Sequence, residues 1–139
     1  MKYLLDTCVI SEMVRKQPNR KVIQWLESID EDNLFLSVIT VGEIEKGVAK
    51  LSDSIRKKKI SEWLHEDLLI RFQKRILLLD IKVMIIWGRQ LALLEQKGRT
   101  LPAIDSLIAA TASSHELVLV TRNTTDFESA NVEIFNPWK

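Results

Sequence analysis

The chain has 139 residues, 46 % hydrophobic and 28 % charged, with a formal net charge of +1; these values suit one folded domain with its own core and exclude a disordered or strongly basic chain. A single cysteine, Cys8, rules out an internal disulfide and a multi-cysteine zinc site, and only two histidines are present to add imidazole ligands. The opening MKYLLDT is too short and too charged for a secretory leader, and no apolar run approaches the roughly 18 residues that span a bilayer, so a cytoplasmic protein with no membrane partner is expected.

The first strand is read at Tyr3–Leu5, a short apolar run that ends on Asp6. Val9–Val14 suggests a short helix, with Cys8 packed beside it as a small apolar residue. Val22, Ile23, Trp25, Leu26 and Ile29 then recur at helical spacing. A second buried strand, Leu34–Val38, leads into a helix from Thr40 to about Leu51, whose Val41, Ile44 and Val48 share one face. Glu43 falls in its first turn, and Glu45 projects roughly 200° away around the helix, so both acids cannot serve one site. Arg56, Lys57, Lys58 and Lys59 form a basic run, read first as a solvated face. Ile60, Trp63, Leu64, Leu68 and Phe72 continue as an apolar stripe, with His65 on its outer side.

A third strand is read at Ile76–Leu79, closed by Asp80 as a helix N-cap. Val83, Ile86, Trp87, Leu91 and Leu94 line the following helix. Pro102 suits the first turn of the next one, where Ile104, Leu107, Ile108 and Thr111 share a face and Asp105 is the only charge between Leu101 and Ser114. His115 ends that helix, where a cation suits the dipole. Leu117–Val120 is the fourth strand, followed by the polar segment from Thr121 to Asp126, and Val132–Phe135 is the fifth. Trp25, Trp63 and Trp87 lie on apolar stripes and are read as packing residues, and Trp138 as a cap on the sheet or a contact to a second copy.

The alternation β-α-α-β-α-α-β-α-α-β-β argues an α/β fold with a mainly parallel sheet of four to five strands and helices on both faces. Ligands of such sheets sit outside the carboxyl ends of the strands. Asp6, Glu43, Asp105 and Asp126 all follow strands or open helices beside them. Each alone has an ordinary explanation in capping, the helix dipole or an Asx turn. Together they would repel one another, and a divalent cation would relieve that repulsion. With four of the 19 acids so committed, 20 basic residues face 15 acids, an excess of +5 that favours a polyanion. A dehalogenase-like phosphatase needs a second aspartate where Cys8 stands, and a receiver domain needs paired N-terminal acids and a late lysine; neither pattern is present.

Four segments carry a resemblance: LLDTCVISE at 4–12, SVITVGEIEKGV at 37–48, LPAIDSLIAATA at 101–112 and LVLVTRNTTDF at 117–127. In order and spacing the chain resembles PIN-domain ribonucleases, in particular the VapC-type toxins of toxin–antitoxin pairs and their FitB-like subgroup. The resemblance implies a single PIN domain over residues 1–139, with a three-layer α/β/α architecture. It implies an acidic quartet at Asp6, Glu43, Asp105 and Asp126 that holds Mg2+ or Mn2+, with Asp126 acting through a water or a second ion. Thr7, and Thr121 or Asn123, would support the quartet. Arg15, Lys16 and Arg122 are the candidate contacts for RNA phosphates. It further implies a metal-activated hydrolysis of RNA leaving 5′-phosphate and 3′-hydroxyl ends, a homodimer, a cognate antitoxin in a heterotetramer or larger complex, and operator DNA met only through that antitoxin. Two rival readings stay open: a PIN nuclease for DNA or precursor rRNA, and a DNA-binding regulatory module in which catalysis is secondary.

Overall fold

The computed structural model describes residues 1–139 without a break. Five strands form one sheet in the order β3-β2-β1-β4-β5: β1 (Tyr3–Leu5), β2 (Leu34–Ser37), β3 (Ile76–Leu77), β4 (Val118–Val120) and β5 (Ile134–Phe135). Every neighbouring pair is parallel, with Tyr3 opposite Leu34 on one side of β1 and Val118 on the other. A parallel sheet needs cover on both faces, and strand alternation sorts the side chains accordingly. Leu5, Leu34, Leu36 and Val120 face a core shared with Val9, Ile10, Val22, Ile44, Leu64, Leu68 and Phe72. Leu4 and Leu119 face the opposite core, with Ile108, Ala109, Ala112 and Phe127.

The first core is covered by α1 (Thr7–Met13), α2 (Arg20–Ser28), α3 (Val38–Ala49), α4 (Ile55–Glu62) and α5 (Leu69–Arg71). The second is covered by α7 (Ala103–Ser114), with α6 (Ile81–Gln96) packed along it. Trp87 Nε1–H donates to Ser106 Oγ at 2.9 Å and Gln90 Nε2–H to Ser113 Oγ at 2.8 Å, which ties α6 to α7. The expected three-layer α/β/α architecture is present, and no helix is long and apolar enough to cross a membrane.

Element boundaries depart from the sequence reading at several places. Val38 is the first residue of α3, because Ser37 Oγ accepts the Ile39 N–H at 3.1 Å and caps the helix. Glu43 therefore lies in the second turn of α3, not the first. The apolar run from Ile76 to Leu79 pairs only at Ile76 and Leu77, because β2 becomes helix at Val38 and offers Leu78 no partner. β5 likewise pairs only at Ile134 and Phe135. The stripe from Ile60 to Phe72 is broken by a π-helical turn, Trp63–Leu68. Asp80 caps α6 as expected, its Oδ1 accepting the Val83 N–H at 2.9 Å.

Candidate active site

β1 ends at Leu5, and the chain turns into α1 at Asp6. Asp6 Oδ1 accepts the Thr7 N–H at 2.8 Å, so the carboxylate does cap the helix. Its other oxygen accepts the Thr121 hydroxyl at 2.8 Å, from the residue that follows β4. The capping reading of Asp6 holds, and the same carboxylate also reaches across the sheet to Thr121. Only 5 % of Asp6 is exposed. Burial raises its pKa above the ordinary aspartate value, against the opposing effect of the Thr121 and Thr7 hydrogen bonds, and the Glu43 carboxylate adds to the rise.

Glu43 comes in from α3. Its Oε1 accepts the Thr7 hydroxyl at 2.5 Å, and Thr7 Oγ1 lies 3.2 Å from Thr40 Oγ1. Thr7 thus links the residue after β1 to the helix after β2. Glu45 points elsewhere, as expected, 3.1 Å from His65 Nε2 at the surface.

Asp105 sits in the first turn of α7, but that helix has no side-chain cap, so the carboxylate is not spent on capping. Its pKa is raised by burial first and then by the charges of Asp6, Asp126 and Glu43. Those three names define the constellation: four acids from four segments act on one another, and no basic group offsets the rise at Asp6 or Asp105. Asp126 is exposed on a 3-10 turn, Thr125–Phe127, at the open side. No three of the chain's His, Cys, Asp or Glu side chains converge tightly enough to ligate one ion directly. The four carboxylates are a spread, all-oxygen anionic set, not a closed cage.

Of the two polar candidates after β4, Thr121 makes the contact with Asp6, and the Asn123 backbone N–H donates to Thr121 Oγ1 at 3.0 Å. Asn123 steadies Thr121 through its backbone, and its own side chain is exposed. Cys8 packs against the first core, its thiol donating to Asp6 Oδ2 at 3.7 Å. Burial and the Asp6 charge push the thiol pKa up, which makes it a poor nucleophile.

The three basic candidates differ. Lys16 is exposed beside α1. Arg15 is committed, its Nη1 donating to both oxygens of Glu12 at 3.1 Å. Arg122 is exposed and its guanidinium lies over the Trp138 ring. Glu12 is a residue the sequence reading passes over. It is buried and accepts the Asn19 N–H at 2.7 Å as well as Arg15. Burial works to raise its pKa, but the Asn19 N–H, Arg15 and Arg122 outweigh it and hold the carboxylate below its ordinary value. The available signal is positional: Glu12 follows Val9 by three residues on the face that α1 turns to the core.

Comparison with known proteins follows the same lines. The PIN domain family profile matches residues 3–132. The chain is 42 % identical to Toxin FitB of Neisseria gonorrhoeae over 135 residues, 97 % of each chain. It is 33 % identical to VapC ribonuclease Y4jK of Sinorhizobium fredii, over 98 % of this chain and 97 % of that one. Among solved structures, one of FitAB bound to an IR36 DNA fragment superposes with a TM-score of 0.93 at 40 % identity, covering 99 % of this chain and 96 % of the other.

Proposed function

The chain belongs to the PIN-domain family, among the FitB- and VapC-type toxins of toxin–antitoxin systems, and from that premise we propose that it is an endoribonuclease that cleaves RNA phosphodiester bonds with Mg2+ or Mn2+ and is restrained by a cognate antitoxin. One observation carries the reading: Asp105 is opposed by the charges of Asp6, Asp126 and Glu43, with no basic group to relieve it. Such a cluster is destabilised until a cation joins it.

The donor set fits a hard divalent ion, being anionic and all oxygen. Asp6, Glu43 and Asp105 would hold it, with Asp126 completing the site through water or at a second ion. Mg2+ keeps several of its own waters, so a spread set of carboxylates suffices. When bound, the ion would polarise the phosphodiester and lower the pKa of the attacking water. The chain's own residues set the geometry around it. The Thr7 N–H and the Thr121 hydroxyl each hold one oxygen of Asp6, which fixes the direction of the remaining lone pairs. The Thr7 hydroxyl does the same for Glu43. Asp105 is not spent on capping α7, so its oxygens are available to the ion. Arg122 and Lys16 are the basic groups available for phosphates, since Arg15 is bound to Glu12. The expected ends are 5′-phosphate and 3′-hydroxyl.

A relative solved as FitAB on a DNA fragment supports the wider assembly. In it the present chain would pair with its antitoxin as a homodimer, in a heterotetramer or larger, meeting operator DNA through the antitoxin, in the cytoplasm.

The purified protein is expected to cut labelled RNA in Mg2+, to stop in EDTA and to resume with Mn2+ or Mg2+. Asp105→Asn should remain folded and lose at least about a hundredfold in cleavage. Preferential cleavage of DNA, rescue by Zn2+ alone, or full activity in Asp105→Asn would each sink the assignment. Growth inhibition that persists in Asp6→Asn would move the function from catalysis to operator binding.

A further inference from the structure

Arg122 follows Thr121, whose hydroxyl donates to Asp6, so its backbone is tied to the first of the four acids. Its N–H donates to Cys8 Sγ at 3.5 Å. The side chain is solvent-exposed and enters none of the chain's ion pairs. It is nonetheless held: the guanidinium carbon lies 4.6 Å from the centroid of the Trp138 ring. Trp138 is anchored in turn. Its N–H donates to Asn136 Oδ1 at 2.9 Å, and its ring packs against the first core.

The choice of tryptophan at 138 carries a cost. The indole Nε1–H is buried and has no acceptor, a penalty that a phenylalanine would avoid. What tryptophan supplies instead is the strongest π face for a cation. A guanidinium stacked on a ring keeps its edge N–H groups free, and those form the fork that matches a phosphate. On the protein side, the buried Glu12 carboxylate is close enough for Arg122 to favour its ionisation. A ring face and a fixed anion thus hold one cation on the residue next to Thr121, whose hydroxyl binds Asp6.

We propose that Trp138 is a positioning residue for Arg122, holding its guanidinium beside Thr121, the partner of Asp6, as the contact for an RNA phosphate flanking the bond to be cut. The proposal rests on the ribonuclease reading above. It joins the far end of the chain to substrate binding.

The test is a double-mutant cycle of Arg122→Ala and Trp138→Leu, with Trp138→Phe as the conservative variant. Cleavage of a short single-stranded RNA is followed in Mg2+, and binding of the same RNA is followed in the Asp105→Asn background at several salt concentrations. The Arg122 Nε–H resonance is recorded by NMR in parallel. Arg122→Ala should lower the salt slope of RNA binding by about 0.7, the value of one phosphate contact to a single strand. Trp138→Leu should raise KM about threefold to fivefold, with the effect on KM and not on kcat, and should add nothing once Arg122 is Ala. Trp138→Phe should restore most of the loss. The Nε–H should be shifted upfield by the ring in the wild type and in Trp138→Phe, and released in Trp138→Leu. Equal losses of kcat or of melting temperature from Trp138→Leu in both backgrounds would make its role merely structural and overturn the proposal. A wild type that cuts no RNA defeats the ribonuclease reading. The unmodified protein's Nε–H then still reports on the pair, and an unshifted resonance overturns it independently.

Discussion

At the scale of single residues, Asp6 and Asp105 each carry an electrostatic cost in the folded chain. Both carboxyls have pKa values raised above the ordinary aspartate value in the folded chain. The folded state therefore binds protons more readily than the unfolded one, and the metal-free protein loses stability as pH rises from the ordinary value through the raised one. A divalent cation should cancel that loss. The melting-temperature gain on adding Mg2+ is expected to be larger at pH 8 than at pH 4, and in EDTA at pH 8 Asp105→Asn should melt above the wild type; differential scanning calorimetry checks both. Glu12 has the opposite sign. Its depressed pKa contributes stability that is present above the ordinary glutamate value and is lost as pH falls through the folded one. Glu12→Gln is expected to cost about 1–2 kcal/mol at pH 7 in urea denaturation, with the difference from wild type fading below pH 4. In the sequence Asp6 and Asp126 stand out by their places after strands, and Glu43 and Asp105 by their places in the opening turns of helices. Glu12 and Trp138 do not stand out. One is an acid on an apolar stripe, and the other is a terminal aromatic. Only the Asn19 N–H and the Arg122 guanidinium reveal what each does.

At the scale of elements, the sequence pattern carried the number and type of strands and helices, while pairing decided where they end. The stripe at Leu64, Leu68 and Phe72 repeats every four residues. In an ideal α-helix each such step drifts by about 40°, yet all three side chains are buried. The π turn Trp63–Leu68 absorbs the drift, since a wider turn brings every fourth residue back to one face. The period of four was in the sequence, and its consequence was not drawn because a single helix fits the same letters. β2 is fastened to this region by Arg75, whose Nη1 donates to the carbonyls of Glu31 and Leu34 while Nη2 donates to the Arg71 carbonyl at 2.8 Å. Arg75→Met retains the stem and removes these bonds. It should lower stability by about 2 kcal/mol in chemical denaturation, and most of the loss should persist in high salt, because its hydrogen-bond acceptors are carbonyls and its one charged partner, Glu31 Oε1, lies 3.8 Å away.

At the scale of the whole molecule, the three-layer arrangement follows from the alternation of elements, but the strand order β3-β2-β1-β4-β5 does not. Neighbour choice depends on pairings between distant segments, and the short apolar runs are nearly interchangeable in composition. The order has a temporal consequence. β1 takes its second neighbour, β4, from the other end of the chain, and the bond from Thr121 to Asp6 closes a separation of 115 residues. At bacterial rates of synthesis the two are made on the order of 10 s apart. Throughout that interval Asp6 lacks the Thr121 hydroxyl, and for most of it the helix that carries Asp105 as well. A nascent chain thus lacks the bond between Thr121 and Asp6 until nearly all of it has been made. A chain ending at His115 should be unfolded by circular dichroism and harmless when expressed without antitoxin, although it contains three of the four acids. Toxicity from that fragment would contradict this. Late closure of the sheet leaves a window, between the first peptide bond and the last strand, in which a restraining partner can be synthesised before there is anything to restrain.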